Sequence, residues 1–590
     1  MQLFVRNRLG VPDGSYRVDH SYRTKSMRVT HFYLKQVIDG IPVSNGDLSL
    51  NVADDGRVVA FFNTFANLNA SFSRWRMNNT VGNTTFLGAR DALVKFAEHA
   101  KLDLGDISTI HEKSALHNDT AVTLDLAPVP FADRPVRAKQ AYLRLSDNGV
   151  APVWALRVKL PHNDYHIHVN AVDGRILRLV DWVSRATYRV LPIKESDPIT
   201  AKRQLFVNPV SPRASPNGWL IANPLQPGKR QTYTTRGNNV EARAQPRRND
   251  PTSIRMPVTD ANQQFDFPLD LSKPPEKNTD ASVTNLFYVV NTMHDVFYLY
   301  GFTEIAGNFQ KDNLGRGGKG GDAVLAVTLD EAIYNNSEFE AGADGEPATL
   351  RLYRYTKTQP HRDGALDNGL IVHEYTHGLS TRLVGGPSTG NCMTLLGPAG
   401  INEGTSDFVA MWTQIQAHDT RARAFELSLY SYGSNVRPYP YSTNMKVNPV
   451  TFDYFNNDAW AENHKLGVIW SSILYEIYWN LVDKLGFDSN TRSVSLARGN
   501  TLMLKLLVSA LKLIPCEESF ITARNAFLQA EKQLTGGAHQ CALWRGFAKR
   551  GLGMGAKLNG QRDVVTIDGA LTLVDNVIAD FAAPSHCTGS

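Results

Sequence analysis

The sequence has 590 residues, of which 42% are hydrophobic. A chain of this length exceeds what one hydrophobic core accommodates, so we expect at least two domains. The formal net charge of +5 arises from 62 basic and 57 acidic side chains. Because this imbalance is small, it gives no indication of a nucleic acid or an anionic membrane surface as a partner.

No stretch of the sequence has the pattern of a membrane span. A spanning helix needs roughly 20 consecutive apolar residues, and the longest apolar stretches, residues 466–482 and 501–514, each contain charge. Their helical periodicity predicts buried core helices. The chain begins with MQLFVRNRLGVPDG, which lacks the apolar segment of a secretory signal, so we expect no export signal in this numbering.

The first part of the chain, to about residue 185, has the pattern of a strand-rich module. Asp-Gly turns interrupt alternating strands, and one helix is predicted at residues 87–100. VADDGRVVAFF from Val52 resembles NAVDGRILRLV from Asn170, and each predicts a hairpin with an Asp-Gly-Arg turn. Chance similarity between the two segments remains an alternative to a repeat. The composition changes near Arg185, where we place a domain boundary.

The second part of the chain changes from irregular to helical patterns. A segment rich in Pro, Asn and Arg extends to about residue 262, and a strong helical pattern begins at Asp280. The Gly-rich stretch at residues 312–322 lacks the spacing of a phosphate-binding loop, so we predict an ordinary loop. Helical patterns dominate from Leu370 onward. These patterns predict an α+β protein with a β-rich part before about residue 370.

The segment LIVHEYTHGLSTRL, residues 370–383, has two histidines four positions apart with a glutamate between them. On a helix, positions i and i+4 lie one turn apart on one face, so His373 and His377 can direct ring nitrogens at one ion. Glu374 then lies beside the ion without binding it. This position suits a general base for a water that zinc acidifies. Because H-E-x-x-H also occurs by chance, the motif alone does not establish a zinc site, and a third ligand must be found elsewhere in the sequence.

A catalytic zinc has three protein ligands and one open position. The segment AGINEGTSDFVAMW predicts a helix that begins near Asn402, with Glu403 and Asp407 one turn apart. Glu403 can supply a carboxylate oxygen to zinc, and Asp407 can accept the second ring N–H of a ligand histidine and fix its tautomer. The alternative is a helix N-terminus with acidic residues that suit its dipole.

Three segments resemble the fungalysin-type metallopeptidases, relatives of the thermolysin group: DNGLIVHEYTHGLSTRLVGGPS, INEGTSDF and ENHKLGVIWSSILYEIYWNL. The resemblance extends over nearly the whole chain, and the N-terminal part is similar to the fungalysin/thermolysin propeptide. It implies a two-lobed thermolysin-like catalytic domain. It also implies that His373, His377 and Glu403 are the zinc ligands, that Glu374 is the catalytic base, and that His464 stabilises the oxyanion of the tetrahedral intermediate.

His464 has a second interpretation. A lone histidine ahead of an apolar helix is more commonly a capping or core residue. The charge that develops on a carbonyl oxygen during hydrolysis needs a donor, which favours the catalytic role. Asn463 and Leu466 stand where the resemblance leads us to expect valine and isoleucine. Glu462 is a candidate to orient His464.

The segment YNNSEFEAGADG, residues 334–345, resembles the segment that pairs with the substrate backbone in these peptidases. The resemblance implies a binding role for Asn336 and Ser337, since extended peptides are commonly held by strand addition. A structural turn is the alternative. In the first module, His166 and His168 share one face of a strand, and we expect strand-surface residues there rather than a metal site.

The sequence contains four cysteines: Cys392, Cys516, Cys541 and Cys587. Cys516 and Cys541 flank a predicted helix, so we expect them to form a disulfide, with reduced buried thiols as the alternative. Glycosylation sequons, which favour export, occur at five positions: Asn69, Asn78, Asn83, Asn118 and Asn335. Acidic clusters leave calcium possible, but no loop has the EF-hand spacing that would support it.

The residue patterns and the resemblance together predict a secreted zinc endopeptidase made as a zymogen. Residues 1–185 would be a propeptide that inhibits the enzyme intramolecularly, released near Ser184, Arg185 and Ala186. Residues 186–590 would form the catalytic domain, which acts on proteins and peptides. Two alternatives remain. One is a zinc aminopeptidase, which needs an acidic anchor and a shorter gap to the third ligand. The other is a zinc-binding secreted protein that its N-terminal module inhibits permanently.

Overall fold

The computed structural model describes residues 1–24, 29–66, 87–115, 121–145, 149–160, 163–181, 186–221, 232–260, 262–565 and 571–588. The chain divides into two compact units, Met1–Val183 and Ser184–Ser590. Ser184 and Arg185 of the predicted release site lie outside the described residues, as do four of the five sequons. Ala186 is described and fully buried.

The first unit is built on one large β-sheet. Its strands are β1 (Tyr16–Thr24), β2 (Val29–Ile38), β3 (Ile41–Ala53), β4 (Val58–Asn63), β5 (His111–Ser114), β6 (Thr123–Ala127), β7 (Val136–Arg144), β8 (Val150–Leu160), β9 (Asn163–Asn170) and β10 (Ile176–Asp181). They pair in the order β1-β2-β3-β7-β8-β9-β10, with β4 beside β3, β6 beside β7 and β5 beside β6. The pairs β3–β4 and β9–β10 are the two predicted hairpins.

Two helices belong to the first unit, α1 (Gln2–Asn7) and α2 (Ala89–Ala100), and α2 is the helix predicted at residues 87–100. The apolar face of α2, with Phe96 at its centre, belongs to the hydrophobic cluster that β8 and β9 also line. His168 on β9 is 1% exposed, so its prediction as a strand-surface residue is wrong. Burial lowers the pKa of His168 to about 3.

The second unit contains a mixed five-stranded sheet. The strands of the whole unit, which also has smaller sheets, are β11 (Thr187–Val190), β12 (Gln204–Val207), β13 (Tyr233–Thr234), β14 (Val240–Ala244), β15 (Val258–Thr259), β16 (Gln264–Phe265), β17 (Val324–Tyr334), β18 (Ser337–Glu340), β19 (Thr349–Tyr355), β20 (Arg362–Asp363), β21 (Lys557–Val565) and β22 (Leu571–Ile578). The five-stranded sheet has the order β14-β17-β19-β18, with β20 also paired to β19. Strands β14, β17 and β19 are parallel, and β18 forms an antiparallel edge.

Helices dominate the chain after residue 367. They are α3 (Thr279–Tyr300), α4 (Asn368–Leu383), α5 (Leu396–Gln414), α6 (Leu429–Tyr432), α7 (Asn463–Leu485), α8 (Gly499–Leu511), α9 (Phe520–Thr535) and α10 (Gln540–Lys549). The stretches predicted as core helices form α7 and α8, whose side chains are largely buried. None of the described helices is long and apolar enough to cross a membrane. The α+β fold class is thus confirmed.

Helix α3 is buried over almost its whole length, and its buried side chains include polar as well as apolar residues. It packs against α4, β11 and β14, while α4 also contacts α5 and the edge strand β18. One hydrophobic cluster extends through this unit from Ala186 to Val577. The motif helix α4 therefore lies between a sheet edge and α5, in the middle of the unit.

The cysteines form two disulfides, Cys392–Cys516 and Cys541–Cys587. The predicted pair of Cys516 with Cys541 is therefore wrong. The helix between those two residues, α9, is 16 residues long and so spans about 24 Å. A disulfide requires Cα atoms within about 7 Å. Helix α9 separates Cys516, which precedes it, from Cys541, which lies in α10, and each pairs instead with a segment distant in sequence.

Arg382, near the end of α4, holds the Gly-rich loop at residues 312–322. Its fully buried guanidinium donates to Asp322 Oδ2 at 2.8 Å and to nearby backbone carbonyls. Its Cζ also lies 4.4 Å from the centroid of the Phe309 ring. The predicted ordinary loop is therefore fixed to the motif helix by a buried ion pair.

Replacing Arg382 with leucine should lower the free energy of unfolding by about 3–5 kcal/mol, because Asp322 would stay buried without its partner. Urea unfolding followed by tryptophan fluorescence measures this change. Arg213 is exposed, so Arg213→Leu serves as the control, with an expected change within about 0.5 kcal/mol. Equal midpoints for the two variants would show that the ion pair does not stabilise the unit.

Candidate metal centre

The two motif histidines lie within α4. Asp367 caps this helix, since its side chain accepts a hydrogen bond from the backbone N–H of Leu370 at 3.2 Å. His373 and His377 then fall one turn apart, and their Nε2 atoms are 3.1 Å from each other. Both rings face one cleft.

Glu403 reaches these rings from α5. Helix α5 begins at Leu396, so the predicted start near Asn402 is wrong and Glu403 is its eighth residue. A helix dipole acts mainly within the first turn, which weakens the alternative explanation for the acidic residues. Glu403 Oε2 lies 3.4 Å from His373 Nε2, and Oε1 lies 3.9 Å from His377 Nε2. One potential ligand atom from each of His373, His377 and Glu403 lies within 4.8 Å of the other two.

Two glycines allow α5 to approach α7 closely. A Cβ on Gly404 would lie 2.4 Å from the carbonyl oxygen of Gly467, and a Cβ on Gly467 would lie 2.6 Å from Glu403 Cβ. Only glycine fits at such distances. This contact brings Glu403 beside the start of α7, where Asn463 Nδ2 donates to Glu403 Oε1 at 3.2 Å. The asparagine in place of the expected valine therefore contacts the carboxylate.

Asp407 lies one turn beyond Glu403 and contacts His373. Its Oδ1 is 2.8 Å from His373 Nδ1, and Arg437 donates to both of its oxygens at 2.7 and 2.9 Å. Burial raises the pKa of Asp407, but Arg437 and His373 outweigh this effect and hold that pKa well below its usual range. Asp407 is therefore a carboxylate. It accepts the Nδ1–H of His373 and leaves a lone pair on Nε2.

His377 has a neutral partner instead. Its Nδ1 is 2.9 Å from Asn402 Oδ1 and 3.3 Å from Ser406 Oγ. The hydroxyl of Ser380 donates to the same amide oxygen, which fixes the orientation of Asn402. Because an amide oxygen only accepts hydrogen bonds, His377 also carries its proton on Nδ1 and a lone pair on Nε2.

The donor set fits a zinc ion. The lone pairs of two imidazoles face each other, and Glu403 Oε2 is buried without a hydrogen-bond partner. Two nitrogens bound to a tetrahedral zinc lie about 3.3 Å apart, close to the 3.1 Å between His373 and His377. Burial lowers the pKa of His373, but the negative charges of Asp407 and Glu403 outweigh it and raise that pKa to about 10, so a cation at Nε2 is strongly favoured, whether it is a proton or a metal ion that displaces the proton. The site therefore attracts positive charge strongly.

Glu374 and His464 lie in the same cleft. Glu374 is 3% exposed and follows His373 on α4. His464 is the second residue of α7, and its Nε2 lies 3.5 Å from Glu403 Oε1. Glu462 caps this helix by accepting from the backbone N–H of His464, and it also contacts His464 Nδ1. This contact directs the other nitrogen of His464 towards the cleft.

The cleft has a volume of about 310 Å³ and includes Asn336 and Ser337 in its wall. Ser337 is the first residue of β18, which pairs with β19 on one side. Among the described strands, none pairs with the other side of β18. An edge strand presents unpaired N–H and C=O groups along its free side. The cleft wall thus includes a strand edge that an extended chain can reach.

Arg437 and Tyr432 also line the cleft, and no sequence pattern marked them. Arg437 Nη2 lies 3.7 Å from Glu403 Oε2 in addition to its contacts with Asp407. Tyr432 donates its hydroxyl to the carbonyl of Asn335 at 2.6 Å. Both belong to the connection between α5 and α7. Tyr432 is the last residue of the one-turn helix α6, and Arg437 lies in the irregular segment after it, so neither periodicity nor a motif indicates a site.

One other group of potential metal ligands lies together among the described residues: Cys541, His586 and Cys587. Its two cysteines are joined in a disulfide, which removes their thiolates as ligands. His166 and His168 have ring centroids 4.7 Å apart but belong to no such group. Calcium therefore remains a prediction from the acidic clusters alone.

Hydrolysis of a peptide bond with zinc requires three ligands, an adjacent base and room for an extended chain. The cleft beside α4 offers each of these, which places the protein among the zinc metallopeptidases. Comparison with known families agrees. The chain belongs to the fungalysin metallopeptidase (M36) family, whose model matches residues 187–556, and the fungalysin/thermolysin propeptide motif matches residues 15–65. The resemblance noted in the sequence is thus confirmed.

Several curated proteins align with this chain over most of its length. Extracellular metalloproteinase 10 of Coccidioides posadasii is 34% identical over 562 residues, which are 93% of this chain and 86% of that protein. Extracellular metalloproteinase 5 of Arthroderma otae and extracellular metalloproteinase MEP of Leptosphaeria maculans are also 34% identical. Each of these alignments covers 93% of this chain and 85% of the relative.

Asp407→Asn should weaken zinc binding about 10–100-fold. The side-chain amide of the introduced asparagine fixes the tautomer of His373 less firmly, and Arg437 loses its ion pair with the Asp407 carboxylate. Competition with a chromophoric chelator measures the zinc affinity directly. Asn463→Val is the milder control, since it removes one contact to Glu403 and should cost about fivefold. Unchanged affinity in Asp407→Asn would contradict the role of this carboxylate.

Proposed function

We propose that this chain is a secreted zinc endopeptidase made as a zymogen, with zinc held by His373, His377 and Glu403. The observation that carries the proposal is the convergence of these three side chains within 4.8 Å. Glu374 lies beside them in an open cleft. Such a set leaves one position of a tetrahedral ion free, as catalytic zinc requires.

Each residue of the cleft then has a defined task. When bound, zinc supplies Lewis acidity that polarises the scissile carbonyl and acidifies a water. Glu374 accepts a proton from the attacking water and delivers it to the leaving amine. His464, oriented by Glu462, donates from Nε2 to the carbonyl oxygen as negative charge develops there. Asp407 keeps His373 in the tautomer that presents Nε2.

The substrate backbone pairs with the free edge of β18, at the end of the strand where Asn336 and Ser337 lie. Strand addition holds an extended chain through main-chain hydrogen bonds, and pockets for side chains supply the selectivity. The edge position of β18 and its place in the cleft wall support this mode. A structural turn at this position is compatible with the binding role, because the turn after β17 leads directly into β18.

An endopeptidase fits this cleft better than an aminopeptidase. An aminopeptidase needs a free carboxylate to anchor the α-amine of its substrate. Glu338 also lines the cleft, but it accepts from the Tyr353 hydroxyl at 2.6 Å and pairs with Arg351 at 3.4 Å. Its charge is therefore already matched. Glu403 lies 26 positions after His377, and this long spacing also argues against the aminopeptidase.

Residues 1–185 act as an intramolecular inhibitor that is removed near Arg185. The propeptide motif at residues 15–65 and the separate hydrophobic clusters of the first unit support this role. Export agrees with the names of the three relatives described above, which are extracellular metalloproteinases, and with two disulfides. A precursor that stays inactive until export would protect the cell that makes it.

Glu374→Gln is the direct test of the mechanism. Casein hydrolysis by the activated enzyme should fall at least 10²-fold, since general acid–base catalysis contributes about that much. Zinc content should stay at wild-type level, because the glutamate is not a ligand. Wild-type activity should also disappear with a chelator and return with added zinc.

Two further measurements separate the alternatives. An N-acetylated peptide has no free α-amine, so its cleavage at an internal bond excludes the aminopeptidase. N-terminal sequencing of the active form locates the release site, and lack of activity after removal of residues 1–185 would favour a non-catalytic zinc protein. Casein hydrolysis that persists in Glu374→Gln would refute the proposed mechanism.

A further inference from the structure

Asn335 occupies the turn that leads into the edge strand β18. It lies directly after β17 and two residues before Ser337, where β18 begins. Its φ of 58° is in the left-handed region, which glycine and asparagine tolerate best. The residue therefore carries a backbone conformation that few other side chains would accept at this point.

The side chain of Asn335 is tied to the end of β19. Its Nδ2 donates to Thr356 Oγ1 at 3.0 Å, and its Oδ1 accepts from the backbone N–H of Thr356 at 2.7 Å. Its own N–H donates to the carbonyl of Arg354 at 2.9 Å. The amide that forms a glycosylation sequon in the sequence is thus engaged through both of its polar atoms.

The carbonyls of the turn are held as well. The Asn335 carbonyl accepts from the Tyr432 hydroxyl at 2.6 Å. The Asn336 carbonyl accepts from the Tyr353 N–H at 3.1 Å and from the Tyr355 hydroxyl at 2.9 Å. The two turn residues are therefore held by β19 and by Tyr432 at the end of α6, while the free edge of β18 faces away from β19.

We propose that Asn335 is a positioning residue for substrate binding, which holds the start of β18 in the register that an extended peptide needs. This inference rests on the proposed function of Asn336 and Ser337. A strand edge that is already fixed loses little conformational freedom when a peptide pairs with it, and such preorganisation increases affinity. Asn335 contributes without touching the substrate, through the turn that it shapes.

The test separates the side chain from the backbone conformation. Asn335→Gly keeps the left-handed conformation accessible and removes both contacts with Thr356. Thr356→Val, directly after β19, removes the hydroxyl that Asn335 Nδ2 contacts. The control is Asn208→Gly, since Asn208 also has a positive φ, of 45°, but is exposed and does not line the cleft. Each enzyme is assayed with a blocked hexapeptide, which is long enough to pair with β18, and with a blocked dipeptide amide.

For Asn335→Gly we expect KM for the hexapeptide to rise about tenfold, as the loss of two hydrogen bonds suggests. The kcat for the hexapeptide and kcat/KM for the dipeptide amide should stay within about twofold, with zinc content unchanged. Thr356→Val should show a smaller change in the same direction, and Asn208→Gly none. A purely structural role would lower the melting temperature and affect both substrates alike.

Two outcomes contradict the inference in distinguishable ways. Equal losses on both peptides in Asn335→Gly, or no loss on either, would refute the positioning role and leave the proposed function intact. A wild-type enzyme that cleaves neither peptide after activation would refute the proposed function itself, and the inference with it.

Discussion

The burial of two carboxylates beside two imidazoles is the constraint on which the catalytic unit depends. Glu403 and Asp407 lie one turn apart on α5 and are almost fully buried. Burying a carboxylate is costly unless a cation or several donors match it. Arg437 matches Asp407, whereas Glu403 keeps one oxygen without a hydrogen-bond partner. A divalent ion held by His373, His377 and Glu403 would complete this charge balance.

The two histidines differ in what lies behind them. His373 is backed by a carboxylate that an arginine also holds, and His377 by a neutral amide. Both partners select the same tautomer, but a carboxylate donates more electron density to the ring than an amide does. A second carboxylate behind His377 would neutralise more of the charge of a bound ion. The neutral partner would therefore leave more Lewis acidity to an ion held by His377, while Asp407 and Arg437 fix the orientation of His373.

Those parts of the site that follow from helical periodicity could be predicted from the sequence. His373 and His377 share a face because they are four residues apart, and the same spacing relates Glu403 to Asp407. The contribution of Arg437 could not be predicted, because it comes from an irregular loop that the packing of α5 and α7 positions. The disulfide partners of Cys516 and Cys541 depend likewise on which distant segments meet. Asn463 stood out only as a departure from a family pattern, and its contact with Glu403 needed coordinates.

The edge strand β18 has a consequence for the proteins that this enzyme attacks. If peptides bind there through their main chain, the target must present N–H and C=O groups that its own fold does not use. Compact domains satisfy nearly all such groups internally. Cleavage of folded targets would then begin at exposed loops and frayed ends, and its rate would report how often a target opens locally.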